Sequence, residues 1–139
     1  MFKYNLLRTL LSTAAVVMTA TSDWTASEPQ QNPLQAVPVP FRGEWNSKLE
    51  DCGTGLNDSS LTIGARTISF YESSGPILAV ITKGETSLAL IARLKSGEDG
   101  STVWDAPVKF ELSQNQAVLK DTTQAGKPFT RYKCPNRIR

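Results

Sequence analysis

The stretch FRGEWNSKLEDCG, residues 41–53, decides how the fold is read. Phe41, Gly43, Trp45, Ser47 and Leu49 share one parity, and Arg42, Glu44, Asn46, Lys48 and Glu50 take the other. Period-two alternation of this kind belongs to a half-buried strand, because successive side chains leave the backbone on opposite faces. A glycine lets another backbone come close, and a tryptophan supplies enough bulk to fill the floor of a small barrel. Cys52 follows at once, and the only other cysteine is Cys134, near the end of the chain. A disulfide between them closes a loop over nearly the whole domain. In the chain-entropy treatment so long a loop contributes about 4 to 5 kcal/mol.

Alternation continues beyond this strand. Leu61 and Ile63 alternate, then Ile68 and Phe70, with Tyr71 on the opposite face. Ile77, Ala79 and Ile81 share one parity, and Leu78 and Val80 the other. Leu88, Leu90, Ala92 and Leu94 make the next strand, and Val108, Phe110 and Leu112 the one after. Val118-Leu119 and Thr130 to Cys134 complete the set. Turn chemistry separates these runs: ESSGP at 72–76, Lys83-Gly84-Glu85, the Asp99-Gly100 pair, SQNQ at 113–116 and DTTQAGKP at 121–128. Only residues 86–95, TSLALIARLK, could be read as a helix, and their hairpin-like flanks favour a strand.

About eight short sequential strands imply an all-β fold. A long antiparallel meander leaves two open edges unless its ends join. A small up-and-down barrel closed by one disulfide is the economical solution, and a two-sheet sandwich is the alternative.

The ends of the chain read differently. Residues 1–20 have a basic start at Lys3 and Arg8, an apolar run from Leu10 and small residues at the close. This is the layout of a signal peptide, with cleavage expected between Ala20 and Ala26. Residues 21–38, rich in Pro and Gln, read as a flexible leader, residues 39–135 as the domain, and residues 136–139 as a polar tail. The expected location is therefore periplasmic or secreted, with no membrane embedding after processing.

Without residues 1–20, thirteen Lys and Arg face thirteen Asp and Glu. That balance gives no electrostatic footprint for nucleic acid. The chain has no histidine, so Ser-His-Asp and Cys-His catalysis are excluded and the commonest metal ligand is missing. No pair of acids has a catalytic spacing. The expectation is a protein that is not an enzyme and holds no metal or cofactor.

Three resemblances follow from particular residues. FRGEW, CG, ISFYESSG and RYKCP, spanning residues 41–135, are similar to a group of small exported bacterial proteins of unassigned function. Gly43-x-Trp45 resembles the first strand of lipocalin and avidin-type calycin barrels. That resemblance implies a basic residue on the last strand packed over the tryptophan, and Arg131 is the matching candidate. Size, compartment and a terminal cystine resemble the C-type lysozyme inhibitors, whose hydroxyl-bearing loop enters the lysozyme cleft. Glu72, Ser73, Ser74, Gly75 and Pro76 form the comparable loop.

The cystine constrains the lipocalin comparison. If the first and last strands are antiparallel and Cys52 lies opposite Cys134, Arg131 faces Gly55, far from Trp45 at about 3.3 Å per residue. Either Cys52 already lies in the coil beyond the strand, or the two strands are parallel and Arg131 faces Leu49. The leading functional expectation is a binding module for a small apolar or amphipathic ligand, lined by Trp45, Phe70, Tyr71, Trp104 and Arg131. The alternative is a protein–protein inhibitor, with a partner such as a lysozyme, or another envelope interaction protein that uses the 72–76 loop.

Overall fold

The computed structural model describes residues 35–55 and 57–136. The expected signal peptide, the leader up to residue 34 and residues 137–139 lie outside the described residues. Within them the chain forms eight strands: β1 Gly43–Asn46, β2 Leu61–Ile63, β3 Thr67–Phe70, β4 Ser73–Lys83, β5 Ser87–Ser96, β6 Thr102–Leu112, β7 Val118–Asp121 and β8 Phe129–Lys133. Each pairs antiparallel with the next in sequence, and β8 pairs antiparallel with β1, so the sheet is a closed up-and-down barrel. Closure leaves no edge strand, which is what a meander of this length requires. Residues 86–95 belong to a strand and its turn, as the hairpin-like flanks imply.

Short 3-10 turns at Val39–Phe41 and Leu49–Asp51 flank β1. The first closes one end of the barrel. Val37, Phe41 and Trp45 are fully buried there, and the Trp45 indole Nε1–H donates to the Phe41 carbonyl at 2.9 Å. Val37 also donates its backbone N–H to Ala65 at 2.9 Å, and its carbonyl accepts from Arg42 Nε at 2.7 Å. The end of the Pro-rich stretch is therefore part of the core. One buried valine among prolines carries no periodicity from which this could be read.

Most of the alternation translates directly into inward-facing positions. Leu61, Ile63, Ile68, Leu88, Leu90, Ala92, Leu94, Val108, Phe110, Leu112 and Leu119 are all buried in one core. The β4 parity does not hold throughout. Pairing with β5 shifts by one residue between Ile77 and Ala79, so an extra residue is inserted at Leu78. Ile77 faces inward, while beyond the bulge Val80 and Thr82 pair with the inward Leu90 and Leu88. Ile81 is turned outward as a result and is largely exposed. A bulge inverts the facing of everything after it, and no single residue type announces it.

The barrel is closed at its seam by only two paired positions, Trp45 with Lys133 and Asn46 with Tyr132. The Cys52–Cys134 disulfide reinforces that seam, with Cα atoms 5.7 Å apart. The two strands are antiparallel and Cys52 sits in the coil after the second 3-10 turn, the first of the two arrangements open from the sequence. Asn46 Nδ2 bonds the Asp51 carbonyl and Gly53 N–H bonds the Glu44 carboxylate, so this coil folds back against the outside of β1.

Gly75 has a purpose that differs from turn formation. A Cβ placed on it would lie 1.8 Å from the Arg93 carbonyl oxygen and 2.9 Å from the Arg93 carbonyl carbon. The obstacle is backbone and cannot rotate away. We expect Gly75→Ala to lower stability by about 3 kcal/mol, the upper part of the usual range for overpacking. Urea denaturation of the purified variant checks this, and a loss below about 1 kcal/mol would contradict so close an approach of β4 to β5.

Candidate functional site

Antiparallel topology sorts the connections to two ends. The Val39–Phe41 turn, the Gly64–Arg66 connection and Lys133 cluster at the closed end. The turns at 71–72, 97–101 and 122–128 ring the other end, which forms the mouth.

At the closed end the Lys133 ammonium stands 5.1 Å from the centroid of the Trp45 ring and donates to the Pro40 carbonyl at 2.9 Å. Directly opposed residues in an antiparallel pair share a face, and Lys133 is opposed to Trp45. The cation over the tryptophan is thus Lys133, and the Arg131 placement is corrected. Arg131 lies two residues earlier on the same face of β8, opposite Leu119 of β7. It is one layer nearer the mouth.

Arg131 is 6% exposed. Its guanidinium packs 4.5 Å from the Phe129 ring centroid, and Nε donates to the Ser59 carbonyl at 2.8 Å. Asp121 Oδ2 lies 3.5 Å from Nη1. Burial pulls the Arg131 pKa below its ordinary value, and the charge of Asp121 opposes that shift.

A cavity of about 450 Å³ opens at the mouth. Phe70, Leu94, Ala106, Val108 and Phe129 line it with apolar surface, and Asp121, Thr123, Gln124 and Lys127 add polar groups. Its size falls within the usual range for small-molecule sites. Ala106, a small half-buried residue, lines the cavity, and its β5 partner Ala92 is buried outside the lining.

The structure therefore separates the expected lining residues. Phe70 borders the cavity. Arg131 sits behind it, touching Asp121 and Phe129, which do border it. Trp45 is 0% exposed at the far end and belongs to the plug. Tyr71 lies in the β3–β4 turn and Trp104 at the start of β6; both are partly exposed and outside the cavity's lining. The expected 72–76 loop is mostly strand. Only Tyr71 and Glu72 form the turn, while Ser74, Gly75 and Pro76 pair with Ser69, Ile68 and Thr67 of β3. Ser73 and Ser74 also pair with Ser96 and Lys95 of β5. The Ser-Ser-Gly-Pro chemistry suggested a turn, but the glycine serves close strand contact and the proline spares a ladder donor.

Sequence reasoning named Phe70 alone among the bordering residues and missed the rest, Asp121, Leu94, Ala106, Val108 and Phe129 among them. Their parity was legible, since Asp121 follows Leu119 and Phe129 precedes Arg131 by two. Their convergence depends on strand registers, which alternation alone does not give. Asp105 lies on the outer face, paired with Arg93 through two hydrogen bonds of 2.8 and 3.0 Å. The Arg93 guanidinium holds the Asp105 carboxyl below its ordinary value. Among the described residues no three His, Cys, Asp or Glu side chains group as a metal site, and no helix is long and apolar enough to cross a membrane.

Fold and site define a disulfide-closed, eight-stranded antiparallel barrel, plugged at one end and hollow at the other. Comparison of the chain with protein-family models, curated proteins and solved structures returns no significant match.

Proposed function

We propose that this chain is a non-enzymatic, exported binding module that holds a small amphipathic ligand in the barrel mouth. The observation that carries the reading is the cavity of about 450 Å³, lined by both apolar and polar residues. An apolar portion of the ligand lies against Phe70, Leu94, Ala106 and Val108. Its polar portion faces Asp121, Thr123, Gln124 and Lys127 toward solvent. The Lys133–Trp45 contact at the closed end supports the comparison with lipocalin-type barrels, in which a basic side chain of the last strand covers the G-x-W tryptophan. A signal-like residue 1–20 stretch and a cystine support an oxidising, periplasmic or secreted location.

Displacement of the neutral fluorophore N-phenyl-1-naphthylamine, together with native mass spectrometry of protein purified from a periplasmic extract, tests the reading. Ala106→Phe places a ring in the cavity from a half-buried position. We expect it to weaken fluorophore binding at least tenfold while the circular dichroism spectrum and cooperative melt persist. Equal binding by the folded variant, or no binding by the wild-type protein, would rule the cavity out as the ligand site.

A further inference from the structure

We propose that the free side of β6 takes an extended segment of another polypeptide as an added strand, with an apolar side chain of that segment in the mouth cavity; this names a ligand class for the binding reading above and rests on it. Closure joins every strand to two neighbours, but not along its whole length. β6 pairs with β5 from Thr102 to Glu111, and with β7 only from Phe110 to Leu112. Lys109 adds a last rung on the β7 side: its carbonyl accepts from the Thr122 N–H at 2.9 Å, and its N–H donates to Thr123 Oγ1 at 3.0 Å. Backbone direction alternates along a strand, so Val103, Asp105 and Pro107 turn the same way as Lys109. The Leu112 N–H, bonded to the Thr86 carbonyl at 2.7 Å, fixes the opposite phase toward β5. β7 ends at Asp121, so nothing in the sheet meets the earlier half of β6 on this side. Among the described residues, the N–H and C=O of Val103 and Asp105 and the C=O of Pro107 have no hydrogen-bond partner. All three residues are exposed, and Pro107 and Ala106 border the cavity, so the free side of β6 opens onto it.

Donors and acceptors that repeat every second residue, about 6.6 Å apart, are complementary to one kind of ligand, an extended backbone. An added antiparallel strand exchanges both bonds with Val103 and both with Asp105, and donates one N–H to Pro107, which has no N–H to return. Residues directly opposed in such a pair share a face. Those opposite Val103, Asp105 and Pro107 point outward, and the one opposite Ala106 points into the cavity, toward Phe70, Leu94, Val108 and Phe129. Backbone pairing supplies affinity and the cavity supplies side-chain selection, so the segment has alternating polar and apolar residues. A second copy of this chain fits the free side less well. A two-fold pairing centred on Asp105 sets two aspartates directly opposite each other, and the Val103 carbonyl meets a proline that cannot donate.

The probe is the peptide acetyl-Thr-Leu-Thr-Leu-Thr-amide, titrated calorimetrically into the wild-type protein beside two isomers that each carry one N-methyl group. Methylation of the central threonine nitrogen removes a donor to Asp105 and is expected to weaken binding at least tenfold. Methylation of the second leucine nitrogen alters an N–H that points away from β6, and is expected to weaken binding less than threefold. Equal affinity of the two isomers overturns the proposal, since side-chain burial alone does not distinguish them. Val103→Pro removes a donor that β5 does not use, so it should weaken the parent peptide at least threefold while fluorophore affinity stays within twofold. Unchanged peptide affinity in the folded variant overturns the proposal, and the isomer comparison decides the matter even if that variant does not fold. A wild-type dimer in sedimentation that Val103→Pro dissolves assigns the free side to a second copy and also overturns it. If the fluorophore binds and the parent peptide does not, this inference alone fails; if neither binds, the cavity reading fails with it.

Discussion

Replacing Cys52 and Cys134 together by serine is expected to lower the free energy of unfolding by about 4 kcal/mol. The two residues are 82 positions apart in sequence, so the bond removes most of the loop-closure freedom of the unfolded chain. Domains of this size are stable by only about 5 to 15 kcal/mol, so a large share of the total is at stake. The position of the bond makes the loss specific. β1 and β8 meet at two paired residues, against ten between β5 and β6, and the barrel is closed nowhere else. The first and last strands are also the most distant in sequence, so their pairing carries the greatest ordering cost. Without the cystine, amide hydrogens of Trp45, Asn46, Tyr132 and Lys133 should exchange before those of β5. The double variant is preferable to either single one, which leaves a lone thiol free to pair between molecules. Urea denaturation of oxidised wild type and the double variant measures the effect; a difference under 1 kcal/mol would show that the hydrogen-bonded seam closes the barrel unaided.

The strands were legible because branched aliphatic or aromatic residues recur at alternate positions, even though Ile81, Ile91 and Val103 are exposed on the outer face. Leu88, Leu90, Ala92 and Leu94 show this most clearly: each is buried, and each is flanked by a more exposed residue. Closure was legible because a cystine joins the first coil to the end of the last strand. What could not be read shares one physical origin. Parity specifies a face but not a register, and the site depends on register. The bulge at Leu78 turns Ile81 out. The pairing of Trp45 with Lys133 shifts the covering cation by two residues from Arg131. The same shift carries Arg131 into the layer of Leu119 and brings it against Asp121 and Phe129. Aromatic content alone then misplaces the ligand lining, because Trp45 is a plug and Trp104, directly opposite Leu94, does not border the cavity. A small residue borders the space instead: Ala106 lines the cavity alongside Leu94 and Val108.

That division of labour between plug and mouth has a measurable consequence at Trp45. The indole is fully buried, its N–H is bonded to Phe41, and its ring is covered by Lys133. Trp45→Ala removes the largest side chain of the closed end and leaves a void among Val37, Phe41 and Leu61, so it should cost about 3 to 5 kcal/mol. Trp45→Phe keeps an aromatic ring but leaves the buried Phe41 carbonyl without its donor and the cavity smaller filled, for a loss of about 1 to 3 kcal/mol. Lys133→Met should matter much less, since the cation–ring contact and one hydrogen bond together amount to about 1 to 2 kcal/mol. Fluorophore affinity separates this role from ligand contact. If Trp45 only plugs the barrel, folded Trp45→Phe binds the fluorophore within twofold of wild type, while Ala106→Phe loses at least tenfold. A tenfold loss in Trp45→Phe at unchanged cooperativity of unfolding would instead place the ligand deep in the barrel, against the tryptophan, and would remove the mouth from consideration.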